Sequence, residues 1–357
     1  MERKGIKKVT ILLTFFLLGI LAGKGELLFQ TEAQAAEPFQ KEVMPKVLTL
    51  ATHPVGTLVN AMGTGLATVL SEHLGIEIKV MPTTGPIEWL PMVKRGEVEL
   101  GVLNNWDAQM GRLGKEEFKV ATKGEGAPIY LLTSGTPALT GVVVAEDSGI
   151  RKGQDLKGKR YVGIFTGSGG ITAQARAALA NFGLKPSDVK MISVPGVEAG
   201  VRAIIEKRAD ATGSATIGMG VISELEASRG ARFLSFDPSP EAVKRLQEHY
   251  PGYLVRVEPG PGKVGVKEPI YLMSYDFYLV ASEKLSEEIA YTIVKTLWQH
   301  YPELGAIHVR LKEWTKDRFV TNRATIPYHP GAIKFYKEVG VWTPEMEALQ
   351  TRLLLKR

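Results

Sequence analysis

Two stretches of this chain repeat one order of short apolar runs and helical periodicities, and that repetition restricts the fold more than any other feature. In the first stretch, KVLTLAT (46–52), EIKVMP (77–82) and ELGVLN (99–104) have the length and content of strands. Between the first two, Leu58, Met62, Leu66, Val69 and Leu70 fall at helical spacing; WLPMVKRGE then predicts a short helix stopping near Gly96. In the second stretch, KRYVGIF (159–165), DVKMISV (188–194) and ADATGSAT (209–216) are the strands, with ITAQARAALANF and EAGVRAIIEKRA as the intervening helices. The spacings agree: Leu48 to Ile78 is 30 residues against 29 from Val162 to Met191, and Ile78 to Gly101 is 23 against 21 from Met191 to Thr212. VKRGEVELGV in one stretch aligns with IEKRADATGS in the other. Strand–helix–strand alternation of this kind makes parallel strands covered by their crossover helices. The expectation is an α/β protein of two similar lobes, each a mostly parallel sheet with flanking helices.

APIYLLTSGTPA (127–138) lies between the stretches and has no helical period, while GVVVAED (141–147) opens the second lobe and SYDFYLVASEKL (274–285) is the strand that returns to the first. Two crossings predict a hinge. The division is then 36–136 for the first part of lobe 1, 137–274 for lobe 2, and 275–357 for the return and the C-terminal helices. In that last part Tyr291, Trp298, Phe335 and Tyr336 are core aromatics.

A length of 357 residues with 44% hydrophobic and 23% charged content suits two globular lobes. The net charge of +6 is scattered: without the five basic and three acidic side chains of residues 1–35, 39 basic residues face 35 acidic ones, leaving +4. No basic block with interleaved aromatics occurs, so a nucleic-acid partner is not expected. MERKGIKK is a basic n-region, VTILLTFFLLGILAG an apolar run short for a bilayer, and Ala33-Gln34-Ala35 a small-x-small cleavage site. This predicts a signal peptide over 1–35, with an uncleaved anchor as the alternative. With no cysteine, there is no lipid-attachment residue and no disulfide framework. The mature protein is expected to be periplasmic, not membrane-embedded and monomeric.

In open parallel sheets, ligands gather where strands end and the next helix presents its unpaired N–H groups. FTGSGGI falls at such a point. Gly167, Gly169 and Gly170 permit close backbone approach, and Thr166 and Ser168 offer hydroxyls to an anionic oxygen. The corresponding turns are THPVGTLVN, with Gly56, Thr57 and Leu58; PTTGPIEWL, with Thr83, Thr84 and Gly85; NNWDA, with Asn104, Asn105 and Trp106; and ATIGMG, around Thr216. None of these five loops contains Lys or Arg, so an acidic ligand would be held by dipoles and hydroxyls. A glycine turn that merely joins strand to helix is the plain alternative for each. The nucleotide-binding signatures are missing, as are a G-x-S-x-G elbow and a cysteine nucleophile, and the six histidines show no metal-ligand spacing. No catalytic residue, cofactor or metal is expected. His53 lies beside a ligand loop and is either a contact or a structural histidine. Trp89 lies inside its helix and reads as core, whereas Trp106, after two asparagines at a strand end, reads as a wall of the site.

Over nearly the whole mature chain the sequence resembles the TAXI class of substrate-binding proteins of tripartite ATP-independent periplasmic (TRAP) transporters. The resemblance is carried by VLTLATHPVGTLVNAMGTGLATVLSE, MPTTGPIEWLPMVKRGEVELGVLNNWDA, GSGGITAQARAALANFGL and IPYHPGAIKFYKEVGVW. It implies the two-lobed type II periplasmic-binding fold, capture of a small organic anion between the lobes, and delivery to a TRAP permease. It places the family's ligand loops on Gly56–Thr57, Thr83–Gly85 and Thr166–Gly170. Many members have G-G-T-Y-Y after P-V; here Leu58 and Val59 stand where the tyrosines would, which favours a carboxylate with an apolar or aromatic body over glutamate or 2-oxoglutarate. A receptor for an ABC importer shares this fold and is the alternative, and a sensor or an enzyme on the same fold are readings from other classes.

Overall fold

The computed structural model describes residues 44–356. The expected signal peptide lies outside them. The chain runs β1 (Val47–Thr52), α1 (Leu58–Leu74), β2 (Glu77–Pro82), α2 (Pro86–Arg95), β3 (Leu100–Asn104), α3 (Asn105–Leu113), α4 (Phe118–Ala121) and β4 (Ile129–Ala145). It continues through β5 (Arg160–Phe165), α5 (Gly169–Asn181), β6 (Lys190–Val194), α6 (Val197–Ile205), β7 (Ala211–Thr216), α7 (Gly220–Arg229), β8 (Ala231–Phe233), α8 (Pro240–Gln247) and β9 (Tyr253–Val257). It ends with β10 (Ile270–Ser282), α9 (Glu287–Ile307), α10 (Lys316–Phe319), α11 (Pro330–Glu338) and α12 (Pro344–Leu354).

Local chemistry sets these boundaries. Thr57, Asn104 and Ser168 cap α1, α3 and α5, each side-chain oxygen accepting from a backbone N–H of the first turn. Gly75 and Gly96 close α1 and α2 with φ of 65° and 81°, in the left-handed region that a side chain would disfavour.

The strands form one hydrogen-bonded array in the order β2-β1-β3-β10-β4-β7-β5-β6, with β8 on β4 and β9 on β10. The two expected parallel groups are there, as β2-β1-β3 and β7-β5-β6. What joins them departs from the expectation of separate sheets: β10 and β4 pair antiparallel with each other, and each pairs antiparallel with its outer neighbour. Most of the stretch expected to be a non-helical link at 127–138 and most of the strand expected at 141–147 fall within the single 17-residue β4. That strand is buried along nearly its whole length, and at roughly 3.3 Å per residue it is about 55 Å long, enough to run through both lobes.

Two apolar cores result. The first gathers β1–β3, α1, α2, the first half of β4, the second half of β10 and the C-terminal helices; the second gathers the rest of β4 and β10 with β5–β9 and α5–α8. Trp89 is fully buried in the first core, its indole lying where a Cβ on Gly101 would collide with it. Trp298, Phe335 and Tyr336 pack edge-on or tilted against one another, with Tyr291 against Phe335. Trp106 is the exception to the division. It enters α3 from β3 in the first lobe, yet its ring is buried in the second core, stacked on Tyr250 at 5.5 Å.

Candidate functional site

A cavity of about 560 Å³ lies between the two cores. It is lined from the first lobe by His53, Val59, Thr84–Ile87, Asn104, Asp107, Glu117 and Phe118, and from the second by Thr166–Ile171, Gln174 and Tyr250, with Tyr275 and Phe277 on β10 between them. The whole glycine-rich turn faces it.

The start of α5 supplies the donors. Ser168 Oγ accepts from the N–H of Ile171 (3.3 Å) and the Ser168 carbonyl from that of Thr172 (3.3 Å). The N–H groups of Gly169 and Gly170 are the open donors of the first turn, with the positive end of the helix behind them. The Ser168 hydroxyl hydrogen remains free to donate while its oxygen caps the helix. One turn further on, Ser214 donates to Gln174 Oε1 (2.7 Å) and is itself within 3.0 Å of Thr140 Oγ1, an arrangement that leaves the Gln174 amino group toward the cleft. Tyr250 is 1% exposed and lines the cavity, and its buried hydroxyl has no hydrogen-bond partner of good geometry among the described residues.

The opposite side is acidic. No Lys or Arg lines the cavity among the described residues, whereas Asp107 and Glu117 both do. The Glu117 carboxylate reaches across the cleft to lie over Gly169, where a Cβ would collide with it. Asp107 is buried, and desolvation first, then the Glu117 charge, push its carboxyl up to about 7 against the opposing hydrogen bond from Asn104. Burial pushes the His53 imidazole below its usual range, so it is neutral near pH 7 and supplies no positive charge. Its buried Nε2 has no hydrogen-bond partner among the described residues.

Of the residues read from sequence, the structure gathers Thr84, Gly85, Asn104, Thr166, Gly167, Ser168, Gly169 and Gly170 on the cavity, with His53 among its lining, and places Gly56, Thr57, Leu58, Thr83, Asn105, Trp106 and Thr216 off it. Thr57 Oγ1 donates to the Pro54 carbonyl (2.8 Å) and caps α1; Gly56 and Leu58 flank it outside the lining. Thr83 is buried and donates to the Thr52 carbonyl (2.8 Å). Asn105 is spent on a lobe-to-lobe contact, its Nδ2 donating to the Pro251 carbonyl (2.8 Å). Trp106 backs the glycine turn beneath Gly170, 8% exposed, as a packing residue behind the wall. Thr216 ends β7 opposite Thr140 and away from the cavity.

Sequence reading missed Asp107, Glu117, Gln174, Tyr250, Tyr275 and Phe277. Gln174 had a local signal, four residues after Gly170 and so on the same helix face. Tyr275 and Phe277 share one face of β10 by strand alternation. Glu117 and Tyr250 reach the cleft from segments whose placement only the tertiary fold decides.

A sequence model of the NMT1-like family matches residues 50–340. Among solved structures, a TctC solute binding protein from Polaromonas matches with a TM-score of 0.50 at 13% identity, covering 87% of this chain and 98% of that one. The periplasmic aliphatic sulphonate binding protein SsuA from Escherichia coli matches at 0.48 and 16%, covering 88% and 84%. PhnD1 from Prochlorococcus marinus, in complex with methylphosphonate, matches at 0.47 and 12%, covering 84% and 100%. The fold is the two-lobed α/β type II periplasmic-binding fold. The family match corrects the expectation of a TAXI receptor serving a TRAP permease: the model that matches residues 50–340 is that of the NMT1-like family. The motifs behind that expectation are glycine turns and helix starts at strand ends, which the type II fold demands whatever permease it serves.

Proposed function

This chain belongs to the NMT1-like family, and from that premise we propose that it is a periplasmic receptor that captures a small anion between its lobes and hands it to an ABC permease. The protein is a binding protein and not an enzyme. The observation that carries the proposal is the start of α5: open N–H groups of Gly169 and Gly170, the Ser168 hydroxyl and the Gln174 amino group converge on a cavity of about 560 Å³, the size of site that encloses a small molecule.

The acidic wall narrows the solute. Held by dipoles and hydroxyls, with no cation among the described lining residues to neutralise it, and facing the Glu117 carboxylate, a second negative charge would be repelled. The solute is therefore a monoanion whose far end offers hydrogen-bond donors or apolar surface, the latter to Phe118, Phe277 and Ile87. The type II fold serves more than one permease class, and membership of the NMT1-like family rather than the TAXI class is what supports an ABC permease as the partner.

A thermal-shift panel of carboxylates, sulfonates and phosphonates on protein stripped of bound solute tests the first part. The expected result is a rise in Tm with at least one monoanion, growing with its concentration, and weaker affinity in Ser168→Ala by about 10- to 100-fold, or roughly 1.5–3 kcal/mol. Response only to cations or dianions would overturn it. Uptake into vesicles bearing the cognate permease tests the second part: it should require ATP and survive an ionophore, and the reverse pattern would remove the ABC reading.

A further inference from the structure

We propose that His73, His300 and Glu303 form a site for a divalent transition-metal ion on the outer face of the first lobe. No metal-ligand spacing links these histidines in sequence, because one ligand comes from the last turn of α1 and the other two from α9, more than two hundred residues later. On α9, His300 and Glu303 are three residues apart and so share one helix face. The packing of α1 on α9 brings His73 onto that face.

The resulting geometry is compact. Glu303 offers one carboxylate oxygen to each imidazole, Oε2 to His73 Nε2 at 2.8 Å and Oε1 to His300 Nδ1 at 2.8 Å. The rings stack with centroids 3.5 Å apart and planes 20° from parallel. The two ring nitrogens and a carboxylate oxygen all lie within 4.8 Å of one another. Two imidazoles sharing one carboxylate bring three ligand atoms together in one cluster. Both rings are partly exposed, which leaves them room to turn toward a shared ion. Two imidazole nitrogens with one carboxylate are a borderline set that suits Zn²⁺, Ni²⁺ or Cu²⁺ over Mg²⁺ or Ca²⁺. Three protein ligands leave a position for water. None of the three residues lines the cleft, so the site is separate from solute capture and ties α1 to α9.

The test is isothermal titration of ZnCl₂ into the mature protein, made without a polyhistidine tag and stripped with chelator, together with His73→Gln, His300→Gln and Glu303→Gln. All three substitutions fall on partly exposed side chains, so the variants fold; far-UV circular dichroism checks this. Loss of even an outer partner of a bound metal weakens binding about 10- to 100-fold, and each variant should lose at least that much. Wild type should bind one Zn²⁺ per chain and melt at a higher temperature with zinc. MgCl₂ should give no heat of binding. Absence of zinc binding in the wild type would overturn the site, as would equal binding in the three variants, since the ion would then sit on other residues.

Discussion

Asp107 occupies the third position of α3, where an acid is ordinarily welcome: the Asn104 side chain accepts from its N–H (2.9 Å) and donates to its carboxylate (2.8 Å). Burial and the Glu117 charge outweigh this, and its carboxyl is pushed up to about 7. Tyr250 and Tyr275 also face it. The stability that neutral Asp107 contributes is therefore fully present below its ordinary value near 3.8 and is lost as the pH rises through about 7. Asp107→Asn should flatten the melting profile over that interval and raise Tm at pH 8, by an amount worth about 1–4 kcal/mol; an unchanged slope would show that the carboxyl is not held neutral. Ser168 shows how far the sequence reached at this scale. Its place on the cleft follows from the turn, but its role as the cap of α5 was not read, and Ser168→Ala should cost about 1 kcal/mol of stability besides its effect on affinity. Denaturant midpoints would measure that cost.

At the scale of elements, the parallel triads β2-β1-β3 and β7-β5-β6 were legible because crossover helices leave a periodicity in the sequence. The antiparallel joint between them was not. β4 is buried on both faces, with threonines and a serine among its apolar residues, and so has no polar-apolar alternation to betray a strand, and its pairing with β10 spans over a hundred residues. We propose that the hinge lies where Pro137, lacking an N–H, stands opposite Asp276 and the register shifts between Asp276 and Tyr278. Asp276 is 2% exposed and is held by Tyr253 (2.7 Å) and Arg318 (3.0 Å), linking β9, β10 and α10 at this point. Asp276→Ala would strip the half-buried Arg318 of its carboxylate, and a loss of roughly 3 kcal/mol is expected, visible as a lower urea midpoint; a neutral outcome would mean that the pair does not brace the joint.

For the molecule as a whole, the contacts across the cleft describe a closed form: Trp106 on Tyr250, Asn105 on Pro251 and Glu117 over Gly169 all run from one lobe to the other. Opening the lobes would pull Trp106 out of the second core. Its fluorescence should therefore report closure rather than ligand contact, shifting to the blue with saturating solute in a variant lacking the other four tryptophans; no shift, with scattering curves also unchanged, would count against a clamshell. Two lobes and a glycine-lined cleft could be read from the chain, because both follow from local pattern. The permease class could not, since the fold imposes the same turns on every receptor built this way. Whether the cleft holds a small anion at the start of α5 is decided most directly by native mass spectrometry of the mature protein, purified without unfolding, beside its Ser168→Asp variant. Aspartate caps a helix as well as serine does, but it sets a carboxylate where the solute's would lie. The wild type should carry one small acidic adduct that denaturation releases, and the folded variant should carry none; an equal adduct on both, or a cationic one, would contradict the account.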